Sequence, residues 1–138
     1  MTAVTDDTFL IIERDNFEGD AAMFKKIFIV DFDDVDAGGF LVKREVADLL
    51  HISDPHHLGG AADVFRFPFT TIESVLPLDR RHLAVLNDNN YPGSAGRTPG
   101  QSDPNEFIII RLNRPLPGGR DDDHHGRGRG HRAVMCRF

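Results

Sequence analysis

Four side chains in the C-terminal half of this chain have the chemistry of hard-cation ligands: Glu73, Asp88, Asn89 and Glu106. Calcium takes six to eight oxygens from carboxylates, amide carbonyls and backbone carbonyls, and these residue types supply them. Asp88 and Asn89 belong to "NDNN" (87–90), which ends an apolar run, "HLAVLND" (82–88). If "TIESVLPL" (71–78) pairs with that run as a hairpin, Glu73 falls near its Asp88 end, and Glu106 opens the next apolar run, "EFIIIRL" (106–112), at the same rim. The competing reading is turn chemistry, because Asn and Asp side chains bond nearby backbone and tolerate left-handed conformations. Both readings stay open on the residues alone.

The 89–105 segment carries three prolines and three glycines and is far longer than a hairpin loop of two to five residues. Loops of this length are usually functional or disordered. Within it, Arg97 is a candidate phosphate clamp, since a guanidinium binds phosphate oxygens in bidentate fashion. The alternative is that it pairs with Asp103 or Glu106 to fix the loop. Elsewhere, His56 and His57 lack a third ligand at a metal-binding spacing and read as exposed loop histidines. "DFDDVDAGG" (31–39) has Val35 at the third ligand position of an EF-hand loop and no Glu at the twelfth, so it is rejected as one. No Gly-x-Ser-x-Gly elbow is present, so any ester chemistry would be metal-assisted rather than that of a serine nucleophile.

The elements that must position these residues are short apolar or aromatic runs separated by Gly, Pro, Asp and Asn: 8–13, 26–32, 63–69, 71–78, 82–88 and 106–112. The pattern predicts a mostly β protein in which the last three runs form an antiparallel meander. "VKREVADLL" (42–50) fits one face of a short helix as well as it fits a strand. Residues 118–138, rich in Gly, Arg, Asp and His, cannot bury enough apolar surface to offset the entropy of ordering, and read as a disordered tail after a 1–117 domain.

With 138 residues the chain is long enough for one core. Its net charge of −6 argues against a binder that neutralises nucleic-acid phosphates. One cysteine, Cys136, excludes an intramolecular disulfide. No apolar stretch reaches membrane-spanning length, and the N-terminus does not read as a signal peptide. No nucleic-acid or membrane partner is expected, and the sequence leaves the oligomeric state open.

Across residues 8–115 the chain resembles the phytase-like, "esterase-like activity of phytase", family of β-propeller proteins. The resemblance rests on Ile72–Glu73, on the apolar strand running into Asn87–Asn90, on Arg97, on Glu106 before Phe107–Leu112, and on "KIFIVDF" and "LVKREVADLLHISDP" upstream. It implies the C-terminal portion of a propeller built of antiparallel meander sheets. It also implies a secreted or periplasmic, calcium-assisted hydrolase of small phosphoesters or carboxyl esters, with Glu73, Asp88, Asn89 and Glu106 near the cation and Arg97 near a phosphate. The readings set against it are a non-catalytic β-sheet binding module and an inactive gene remnant.

Overall fold

The computed structural model describes residues 1–89, 91–93, 98, 100–102, 105–118 and 135–137. Two four-stranded antiparallel sheets carry the fold. The first has the order β1 (Thr2–Ala3), β2 (Thr8–Arg14), β3 (Lys25–Asp31) and β4 (Arg44–Asp48). A two-stranded ribbon, β5 (Ile52–Ser53) and β6 (Val64–Phe65), follows. The second large sheet has the order β10 (Met135–Arg137), β9 (Glu106–Arg111), β8 (His82–Asn87) and β7 (Ile72–Pro77). The expected meander is therefore present, with Val75 opposite Val85 and Val85 opposite Ile108.

Alternation decides which faces are buried. Leu10 on β2, Ile27 and Ile29 on β3, Val75 on β7, Leu83 and Val85 on β8, and Ile108 and Ile110 on β9 project to one shared core. The sheets meet along β2 and β7, and the Thr2 hydroxyl donates to the Val75 carbonyl at 2.7 Å. Phe65, Phe67 and Phe69 fill the core from the connecting segment, and the rings of Phe67 and Phe69 meet edge to face at 4.8 Å. The 63–69 run, expected as a strand, is one only at Val64–Phe65. Pro68 has no amide hydrogen to donate to a ladder, and the Phe67 amide goes instead to the Leu49 carbonyl at 2.8 Å.

The ambiguous 42–50 segment is a strand, β4, paired with β3 through a register shift at Ile27/Phe28. Cross-strand partners outweigh its helical spacing: Lys26 of β3 bonds Glu45 of β4 at 2.7 Å. Among the described residues the only helical element is a 3-10 turn, Gly19–Ala21. In the 31–39 segment Asp31 and Asp36 are spent on local backbone, and Asp34 pairs with Arg44. Asp31 accepts from the Asp33 amide, Asp36 accepts from Gly38 and Phe40, and Gly39 supplies the positive φ of 81° that the turn requires. Of the 118–138 tail, the described part is Gly118 and β10, which pairs with β9.

An ion pair between a buried lysine and a half-buried aspartate anchors the end of the β2–β3 hairpin. Lys25 is fully buried, and its ammonium spends all three hydrogens: on the Asp15 carboxylate at 2.6 Å, the Asp15 carbonyl at 2.8 Å and the Phe17 carbonyl at 2.7 Å. Asp15 in turn accepts from the amides of Met23, Phe24 and Phe17. Burial works to raise the Asp15 carboxyl, but the Lys25 hydrogen bond and the three amides outweigh it, holding it at about 2 against the ordinary 3.8. Because the folded value is depressed, this stability is fully present above pH 3.8 and is lost as pH falls towards about 2. Urea unfolding of Asp15→Ala at neutral pH should show a loss of about 3–5 kcal/mol, since an uncompensated buried ammonium remains. In Asp15→Asn, the acid limb of the stability profile should flatten across the same pH window.

Candidate functional site

The hairpin registers bring the expected ligand residues to one end of the second sheet. Ile72 pairs with Asn87, and Leu86 pairs with Phe107, which sets Asn87 beside Glu106. Glu73 is the extra residue of a β-bulge, since Ile72 and Ser74 oppose the consecutive residues Asn87 and Leu86. Bulges re-aim side chains, and Glu73 is exposed here. Glu106, in contrast, is buried at 2% exposure, whereas Asp88 is exposed and Asn89 half-buried.

Much of the Asn-Asp-Asn run serves backbone. The Asn87 side-chain oxygen accepts the Glu106 amide at 2.6 Å, a buried bond that locks β8 to β9 where the long loop leaves and returns. The Asp88 amide donates to the Thr71 carbonyl at 2.8 Å, and the Thr71 hydroxyl donates back to the Asp88 carbonyl. Asn89 accepts the Tyr91 amide at 3.1 Å on its side chain, and its own amide donates to the Asn105 side chain at 2.7 Å. Turn chemistry is thus realised at Asn87 and Asn89, whose amide groups close the base of the loop.

The donor types suit a hard cation, but among the described residues no three His, Cys, Asp or Glu side chains gather closely enough to hold a metal ion. Glu73, Asp88, Asn89 and Glu106 share a rim without forming a complete cage there. Arg97 lies outside the described residues. His57 bonds Asp63 at 2.8 Å, and His56 stands elsewhere, beside the cleft between the sheets. Sequence reasoning passed over Thr71 and Asn105. Their signal is faint: each is a small polar residue directly preceding a strand, where side chains commonly satisfy loose backbone groups.

Two stacked antiparallel sheets, with oxygen-bearing side chains at the rim where the meander's strand ends meet, define an all-β domain with a loop-built candidate site. The chain belongs to the phytase-like family described as esterase-like activity of phytase, whose model matches residues 1–91, well over half of the chain. That match takes in Glu73, Asp88 and Asn89 and stops before Arg97 and Glu106. Neither the curated proteins nor the solved structures yield a match.

Asn87 has its other amide atom, Nδ2, buried without a hydrogen-bond partner among the described residues, so the Oδ1 bond to Glu106 carries the side chain's contribution. Asn87→Ala should leave the buried Glu106 amide without its acceptor. An expected loss of about 1–3 kcal/mol would be read from urea unfolding, and faster amide exchange at Glu106 would locate it.

Proposed function

We propose that the chain is part of a β-propeller hydrolase of phosphoric or carboxylic esters in which calcium assists the reaction. The family match carries this reading. The two four-stranded sheets have the strand number and antiparallel order of propeller blades, which lends it support. So does the collection of Glu73, Asp88, Asn89 and Glu106 at one sheet end.

In this proposal Asp88 and Glu73, both exposed, reach the cation from the solvent side, and Glu106 and Asn89 hold it from the sheet side. Bound calcium would supply polarisation of a phosphoryl or acyl oxygen and a water of lowered pKa. Arg97 would bind and orient the ester's phosphate through paired N–H donors. The bond that the Asn87 side chain accepts from the Glu106 amide keeps the rim in place. The family's activity further suggests a periplasmic or secreted setting and a small-molecule substrate.

A second reading, a non-catalytic β-sheet module, draws on the use of Asn87 and Asn89 as turn residues. The two diverge in thermal unfolding followed by circular dichroism, with calcium and then with a chelator. A site that binds calcium only when folded raises stability by about 2.7 kcal/mol at a calcium concentration about a hundredfold above Kd. Asp88→Asn should abolish that rise while leaving the chelated protein unchanged, because Asn serves a turn as well as Asp does. Equal unfolding midpoints with calcium and with chelator would favour the binding module.

A further inference from the structure

At the opposite end of the second sheet from Glu106, a cleft of about 910 Å³ opens between β4 with its following loop on one side and the end of β9 with residues 112–117 on the other. Its size suits a small organic ligand. Apolar side chains, including Val46, Ile52, Ile110 and Leu112, line part of it, and its charged groups are unevenly committed.

The acidic groups of the cleft are already engaged. Glu45 bonds Lys26 at 2.7 Å, and Asp48 faces Lys26 at 3.7 Å and His51 at 3.1 Å and accepts the Leu50 amide. Asp54 is buried and accepts the amides of Leu58 and Gly59 at 2.9 and 2.7 Å. Arg44 pairs with Asp34 at 3.2 Å. Arg111 and Arg114 also line the cleft, and among the described residues their side chains make no hydrogen bond or ion pair. The formal charges of the lining cancel, three arginines against three carboxylates, but the carboxylates already have partners.

The segment bearing these two arginines is braced. The Leu112 amide donates to the Arg81 carbonyl and the Leu116 amide to the Arg80 carbonyl, both at 2.7 Å. The Arg80 side chain returns a bond to the Leu116 carbonyl at 3.1 Å, and Pro115 and Pro117 restrict the backbone. The backbone that carries the two arginines is thus fixed beside a partly apolar cleft, where each exposed guanidinium can engage an oxyanion through paired N–H donors. His56 stands on the opposite wall as a further donor.

We propose that this cleft is a binding site for a small amphipathic oxyanion, an apolar body carrying a phosphate or carboxylate, with Arg111 and Arg114 gripping the anion and the apolar wall taking the body. The site is independent of the calcium rim, because Glu106 and Arg111 stand at opposite ends of β9.

Isothermal titration in the presence of chelator tests it, with 1-naphthyl phosphate, 1-naphthoate and neutral 1-naphthol as probes. At least one anion should bind about tenfold more tightly than 1-naphthol, and whichever is tighter identifies phosphate or carboxylate as the head group. Arg111→Gln/Arg114→Gln should weaken the anion about tenfold and leave 1-naphthol unchanged. Equal binding of anions and 1-naphthol, or a double variant that retains full anion affinity, would overturn the proposal. Amide chemical shifts of the unsubstituted chain locate the ligand without relying on the fold of any variant. Changes at 51–56 and 109–116 are expected, and changes confined to 71–73 and 87–89 would sink the idea.

Discussion

Each large sheet has one strongly apolar face, and neither can bury it alone; the mutual burial of those two faces is the constraint on which the rest of the molecule depends. Leu10, Ile27 and Ile29 from the first sheet meet Val75, Val85, Ile108 and Ile110 from the second. The connecting segment completes the seam by inserting Phe65, Phe67 and Phe69. Fully burying a Phe side chain contributes about 1.5–3 kcal/mol, so this segment is a structural layer in its own right. It can leave the ladder after Phe65 because the Phe67 amide finds an acceptor in Leu49.

A charge can enter such a core where its hydrogen bonds are arranged. Lys25 is the clearest case: an ammonium without solvent access would be prohibitive unless each hydrogen had an acceptor, and the Asp15–Phe17 turn supplies all three. The outer face of the first sheet is managed differently. Phe9 stacks on Phe32 at 4.6 Å, and the ammonium groups of Lys26 and Lys43 lie 5.8 and 5.2 Å from the ring centres of Phe24 and Phe28. Lysine stems and their charges thereby cover aromatic surface while the heads pair with Glu45 and Glu13.

The two ends of the second sheet have different electrostatic characters from one ladder. At one end the strand termini present Glu73, Asp88 and Glu106; at the other, β9 finishes in Arg111 and runs on to Arg114. The antiparallel register produces this segregation, since it places the start of β9 beside the end of β8. The Asn87 bond to Glu106 preserves the register across the long 89–105 connection, where a slip of one residue would exchange the faces of every β9 side chain.

The local patterns by themselves determined that β2, β3, β7, β8 and β9 are strands, because each combines β-branched or aromatic residues with punctuating turn residues over at least six positions. They set only a conditional expectation that Glu73, Asp88 and Glu106 share one rim, which the hairpin registers then met. Tertiary structure alone decided the rest. The 42–50 segment is balanced between two periodicities, and pairing with β3 resolves it. β1, β5 and β10 are too short to carry a period, and exist because a partner strand offers free backbone groups. Whether Asn87 would hold backbone or a ligand depends on the distance to Glu106, nineteen residues along the chain. The cleft arginines were illegible for a similar reason: an Arg ending an apolar strand is ordinary in sequence, and becomes notable only once folding engages its acidic neighbours elsewhere.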